Sequence, residues 1–242
     1  MALELTEDEK ALAHDMLTRA RAAQAQIENW SQEQLDRLSK AIAWYAGNEK
    51  TFTRLAEQGV DESGIGDRAG RPAKRFKIQM VLRDVLRTPS TGIAEVDEAR
   101  GLVKYAKPVG VIASLIPMTN PAMTPPVTGV SSANARNAVI FSPHPRTVQT
   151  TWQMTEVMRA ACRAAAPRAW CGLVVRRRRG VARMRRARDG RGARPPPSPV
   201  DSPRCAPRRL PECGGCGRDW SAPMKSLLCR RPPQHRPRAS EG

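Results

Sequence analysis

The stretch Gly101–Arg146, GLVKYAKPVGVIASLIPMTNPAMTPPVTGVSSANARNAVIFSPHPR, decides the fold. Its first part alternates and then becomes continuously apolar up to Pro117, the texture of a strand entering a sheet buried on both faces. AMTPPVTGVSSANAR reads as a helix, because its prolines sit where a first turn tolerates them. NAVIFSPHP is a second buried strand, ended by prolines. RTVQTTWQMTEVMRAACRAAAP (Arg146–Pro167) is a second helix, with Val148, Trp152, Thr155 and Met158 on one inward face. Strand, helix, strand, helix of these lengths is a parallel βαβα unit with a right-handed crossover.

Upstream the chain reads as helices. TEDE (Thr6–Glu9) has capping-box spacing, as does SQEQ (Ser31–Gln34), which precedes Leu35, Leu38, Ile42 and Tyr45 on one face. The first helix reaches about Asn29. A third covers Thr51 to about Glu57, and a fourth the amphipathic AKRFKIQMVLRDVL. The intervening DESGIGDRAGRP is turn-rich. Lys74, Arg75 and Lys77 read either as an anion site or as a solvated helix face.

Beyond Pro167 the chemistry changes, across APRAWCGLVVRRRRG (Ala166–Gly180). Of the 242 residues, 41 are Lys or Arg and 23 Asp or Glu, a net charge of +18. Residues 168–242 alone hold 20 basic and 5 acidic side chains, 11 of the 21 prolines and 5 of the 6 cysteines. They contain no Phe, Tyr, Ile, Asn or Thr. Such a segment buries too little apolar area to offset its chain entropy, so a disordered basic C-terminal tail is expected. The first 167 residues carry a net charge of only +3, ordinary for a cytosolic enzyme. No apolar run is long enough to span a membrane, and the acidic MALELTEDEK lacks the layout of a signal peptide. One cysteine, Cys162, in the front part agrees with a reducing compartment, so the expected location is cytoplasmic. That cysteine reads as a small packing residue within a helix.

Ligands of an open parallel sheet lie beyond the carboxyl ends of its strands. Two motifs fall there, IPMTNP and SPHPR. Thr119, Asn120 and Ser142 offer hydrogen bonds, and His144 and Arg146 suit a phosphate or a ribose. No GxGxxG or P-loop string accompanies them, so two proline-rich strand exits without a ligand is an equal reading.

KPVGVIASLIPMTNPAMTPP followed by NARNAVIFSPHPR resembles the CoA-acylating branch of the aldehyde dehydrogenase superfamily. WSQEQLDRLSKAIAW and KRFKIQMVLRDVL resemble the helices that precede the strand in that family. The resemblance covers roughly residues 10–167. It implies an α/β fold in which N-terminal helices precede an incomplete parallel βαβα, Rossmann-like nucleotide-binding unit. It divides the chain into a partial N-terminal and cofactor-binding domain, 1–167, and a tail, 168–242. It also implies a reaction of aldehyde, CoA and NAD or NADP. A cysteine thiolate attacks the aldehyde, hydride passes to the cofactor, and CoA takes the acyl group. Asn120, or alternatively Thr119, then stands on the oxyanion side of the reacting carbonyl. Pro117, Thr119, Asn120, Ser142, Pro143, His144 and Arg146 would line the cofactor. The family's nucleophilic cysteine belongs to a separate domain, and nothing in this sequence matches its surroundings. The chain is therefore expected to be inactive, with weak or no cofactor binding. Family members are oligomeric; for this chain the sequence leaves assembly open.

The genetic code accounts for the abrupt change. Members of the family commonly continue with Ala-Pro-Glu-Gly-Leu-Val, which a GC-rich gene can encode as GCC CCC GAG GGC CTG GTG. Loss of one C gives GCC CCG AGG GCC TGG TGC, which translates as APRAWC, the residues Ala166–Cys171. The competing account is a genuine basic tail that binds nucleic acid through its phosphates. Cys205, Cys213, Cys216 and Cys229 include only one C-x-x-C pair, where a zinc ribbon uses two, so no metal site is expected.

Overall fold

The computed structural model describes residues 5–166 and 172–175. Three helices come first: α1 (Glu7–Ile27), α2 (Gln32–Ala46) and α3 (Glu49–Ser63). Both capping boxes are formed. Thr6 accepts from the Glu9 amide and Ser31 from the Gln34 amide, with Glu9 and Gln34 answering the cap backbones. Helix α3 runs past the expected end at Glu57 and stops at Gly64, whose φ of 72° is the left-handed conformation that closes helices. A 3-10 turn, Arg71–Arg75, leads into α4 (Phe76–Val85).

Next comes a feature absent from the sequence reading. An antiparallel hairpin joins β1 (Gly92–Asp97), just before the deciding stretch, to β2 (Leu102–Ala106), in its alternating part. Its Ile93, Val96, Leu102, Val103 and Tyr105 are exposed. The parallel sheet begins afterwards, with β3 (Val111–Ile116), α5 (Thr124–Asn134), β4 (Ala138–Pro143) and α6 (Val148–Ala165). β3 pairs with β4 in parallel, and β4 with a third strand, β5 (Leu173–Val175). The sheet thus continues past residue 167, in the order β3-β4-β5. Residues 167–171 and 176–242, with most of the proposed tail and all its cysteines, lie outside the described residues.

The strand faces explain the layering. Val139, Phe141 and Leu173 join the main core with Val130, Met154 and Met158 of α5 and α6, and with α2, α3 and α4 outside them. Ala138, Ile140 and Val174 face the other way, onto Leu12, Met16 and Ala20 of α1. Helix α1 thus covers one face and α5 and α6 the other. The expectation that the first parallel strand is buried on both faces is corrected. Ala113 is exposed and Leu115 is 80% exposed, because α1 does not reach the carboxyl end of that strand. Val148, Thr155 and Met158 are buried as the helical spacing requires, while Trp152 is half-buried.

Polar groups fix the amino-terminal end of the sheet. Buried Asn137 accepts from the Val109 and Gly110 amides at 2.7 and 2.8 Å. Arg136, in the left-handed region at φ 60°, donates to the Glu28 and Ala106 carbonyls at 2.9 and 2.8 Å. The NARN motif is therefore a clasp between α1, the hairpin and β4.

Candidate active site at the strand exits

The ladder pairs Leu115 with Ser142 and Ile116 with Pro143, so β3 and β4 end level. The His144 amide donates to the Ile116 carbonyl at 3.1 Å and extends the ladder by one rung. This brings Pro117 beside Ser142, Pro143 and His144. The His144 ring accepts from the Arg146 amide through Nδ1 at 3.2 Å, capping the 3-10 turn Pro145–Thr147. His144 is held in place by that bond, whereas Arg146 is exposed.

Thr119 and Asn120 turn the other way, toward the 3-10 turn after α3. Arg71 Nη1 donates to the Thr119 carbonyl at 2.5 Å and to Asn120 Oδ1 at 2.9 Å. Lys74 Nζ donates to the same Oδ1 at 2.8 Å. Neither guanidinium nor ammonium can accept a hydrogen bond, so the amide must present its oxygen to both cations. Its Nδ2 is left on the other side, 3.4 Å from Thr119 Oγ1. The Asn120 carbonyl also accepts from Thr124 at 3.1 Å, fastening the exit to the start of α5.

Beside Asn120 lies a small cleft, open to solvent, with room for little more than a water-sized molecule. Phe52, Ala56, Gly59 and Ile65 form its apolar wall, and Arg71 and Lys74 its charged end. A Cβ on Gly59 would stand 2.8 Å from Pro121 Cγ, so only glycine lets α3 approach the strand exit this closely. Burial, then the neighbouring Arg71 and Lys77 charges, lower the proton affinity of Lys74.

Lys74, Arg75 and Lys77, grouped in the sequence reading as one anion site or one solvated face, separate. Arg75 pairs with Glu49 at 3.4 Å and lies over Phe76, and Lys77 is exposed. Lys74 instead joins Arg71, a residue the sequence reading left unmarked. The signal was its position three residues before Lys74 in a short turn, which puts both side chains on one side. Cys162 is fully buried within α6 and lines neither strand exit. Among the described residues, no group of three His, Cys, Asp or Glu side chains is placed to hold a metal.

Sulfoacetaldehyde dehydrogenase from Acholeplasma is 37% identical over 148 residues, covering 61% of this chain and 31% of that protein. About 60% of the chain is similar to acylating aldehyde dehydrogenases. A crystal structure of an acetylating aldehyde dehydrogenase from Geobacillus thermoglucosidasius superposes with a TM-score of 0.61 at 30% identity, covering 71% of this chain and 39% of that one. A propionaldehyde dehydrogenase from Rhodopseudomonas palustris, solved with bound CoA and an acylated cysteine, gives a TM-score of 0.55 at 25% identity. That match covers 67% of this chain and 36% of the other. No family model matches the sequence. The chain spans about a third of the length of the acylating dehydrogenases it resembles. No described helix is long and apolar enough to cross a membrane.

Proposed function

We propose that residues 5–166 are the cofactor side of a CoA-acylating aldehyde dehydrogenase, whose overall reaction is aldehyde + CoA + NAD(P)+ to acyl-CoA + NAD(P)H + H+. The observation that carries this reading is Asn120: two cations hold its amide oxygen, and its Nδ2, which donates to Thr119 Oγ1, keeps a second N–H for another acceptor. An amide held in this way is a preorganised donor for charge developing on a carbonyl oxygen. Thr119, whose hydroxyl is 3.4 Å from Nδ2, is the alternative donor.

The strand-exit residues suit one end of a dinucleotide. Pro117 and Pro143 offer flat apolar contact, Ser142 a hydroxyl, His144 a ring, and Arg146 an exposed guanidinium for a phosphate. With Thr119 and Asn120 they would hold NAD or NADP, which supplies the hydride acceptor when bound. The His144 and Arg146 amides are already engaged, so backbone donors at this exit are few. Weak cofactor binding follows, because few contacts remain to offset the cost of ordering the ligand.

Cys162 is buried away from the exits, so no thiol among the described residues can act as nucleophile. Our reading is that the chain does not turn over by itself and that residues from 168 onward are out-of-frame translation. The composition step at Ala166–Cys171 supports that reading. The test is CoA- and aldehyde-dependent NAD(P)H formation by the purified chain. The expected result is no turnover above blank; turnover abolished by thiol alkylation would overturn the assignment of inactivity.

A further inference from the structure

We propose that Arg71 and Lys74 are positioning residues: together they fix which way the Asn120 side-chain amide faces, and so make it a donor rather than an acceptor at the strand exit. The inference deepens the acylating-dehydrogenase reading and rests on it for the carbonyl oxygen that Asn120 would serve.

An asparagine amide has two ends of nearly equal size, so packing alone does not choose between them and the hydrogen-bond network must. Turned one way, it offers an N–H to a developing oxyanion; turned the other, it sets its own oxygen there and repels the charge. At Asn120 the choice is made from the 3-10 turn Arg71–Arg75. Arg71 Nη1 reaches Oδ1 at 2.9 Å and Lys74 Nζ at 2.8 Å. Both groups only donate, so reversing the amide would set Nδ2 against two cations. Their spacing of three residues in a 3-10 turn brings both side chains to one side.

The surrounding charges leave these two cations to the amide. Arg68 pairs with Asp61 and Glu57, and Arg75 with Glu49. Among the described residues neither Arg71 nor Lys74 makes an ion pair, and a carboxylate there would compete with Oδ1 for both donors. Arg71 is itself fixed, donating also to the Thr119 carbonyl and, through Nη2, to the Ile65 carbonyl at 3.1 Å. Gly66 leaves room for it, since a Cβ there would collide with the guanidinium. Lys74 makes no backbone hydrogen bond through Nζ among the described residues, so it acts on the side-chain amide. It stays there although burial, then the Arg71 and Lys77 charges, lower its proton affinity. A neutral donor would tie the turn to the exit without that cost, but a neutral hydroxyl or amide can also accept and would leave the orientation open.

The test reads the Asn120 amide in the 15N-labelled full chain, its Nδ2 resonances identified by their loss in Asn120→Asp. In the wild type their order parameter should lie near the rigid level of about 0.85, and in the Arg71→Met, Lys74→Met double variant it should fall below about 0.6. Lys74→Met alone should give a value between the two, and Lys74→Arg, which restores a donor-only cation, should recover the wild-type value. The Thr124 amide donates to the Asn120 carbonyl at 3.1 Å and should keep its order parameter in Lys74→Met, because that variant removes no backbone bond. If the double variant fails to fold, Lys74→Glu replaces it, its carboxylate pairing with Arg71 and drawing both donors from Oδ1. An Asn120 order parameter that stays at the wild-type level when both donors are lost overturns the proposal. Equal loosening of Thr124 and the Asn120 side chain in Lys74→Met also overturns it, by making Lys74 a structural tie. The readout needs neither turnover nor cofactor, so its failure is distinguishable from failure of the dehydrogenase reading.

Discussion

Lys74 Nζ donates to Asn120 Oδ1 at 2.8 Å and so ties the 3-10 turn after α3 to the exit of the first parallel strand. The bond is made by an ammonium whose proton affinity is lowered, first by burial and then by Arg71 and Lys77. Between its lowered native value and the ordinary lysine value, the unfolded chain binds more protons than the native one. Stability contributed at this site therefore rises with pH through that window and levels off above it. Urea midpoints of wild type and Lys74→Met between about pH 8 and pH 10.5 should show this increment in the wild type only, since lysine normally titrates near the upper limit. Parallel curves for the two proteins would mean that Lys74 titrates as an ordinary surface lysine.

A second prediction concerns α2 and α5. Asp36 accepts from Gln32 at 2.8 Å and from Asn134 at 3.0 Å, and both Asp36 and Asn134 are buried. Asp36→Ala strands the Asn134 amide without its acceptor, a loss of about 1–3 kcal/mol. Equilibrium denaturation measures it. An unchanged midpoint would show that water or Ser90 replaces the carboxylate.

Two glycines separate rigid from yielding contacts. Gly59→Ala places a methyl 2.8 Å from the Pro121 ring, which cannot turn aside, and should cost about 1–3 kcal/mol from overpacking. Gly129→Ala meets Met158 Sδ at 3.3 Å, a thioether that can rotate, and gains helix propensity of up to about 1 kcal/mol. The first variant should melt well below the wild type and the second close to it. Thermal melts in which both fall equally would contradict this view of the strand exit.

These cases show what was legible in the sequence. The capping boxes at Thr6 and Ser31, and the strand, helix, strand, helix order from Val111 to Ala165, were readable because each rests on local chemistry or simple periodicity. The hairpin was not: Ile93, Val96 and Tyr105 are exposed, so no buried face gave its strands a period to follow. β5 escaped because three apolar residues beside an arginine run carry too little signal. Arg71 and Gly59 were missed for another reason. Their importance depends on contacts with Asn120 and Pro121, about fifty and sixty positions away, which no local pattern announces.

Cofactor affinity offers a fourth test. Calorimetry of the purified chain with NAD+ should give a dissociation constant no tighter than about a millimolar, equivalent to roughly 4 kcal/mol. Micromolar binding would mean that Ser142, His144 and Arg146 supply more of the site than their present hydrogen bonds suggest.

The last prediction concerns the gene. Leu115 and Val109 are 80% and 86% exposed, so among the described residues part of the sheet lacks the cover a parallel sheet usually has. A chain with such surface should express poorly, aggregate or be degraded. Restoring one cytosine in the codon run at Ala166–Pro167 should convert APRAWC into Ala-Pro-Glu-Gly-Leu-Val, the order common in the family this region resembles. The restored frame should supply a longer third strand from that Leu-Val and, further on, a cysteine in a domain of its own. Sequencing the source DNA, inserting the base and expressing the product tests this directly. An early stop, or an open frame with no such cysteine domain, would defeat the frameshift and make the arginine tail the protein's own. An open frame whose product forms acyl-CoA with reduction of NAD(P)+ would establish it, and Asn120→Ala in that product should then lower kcat by about 10²–10³, the cost of removing one oxyanion donor.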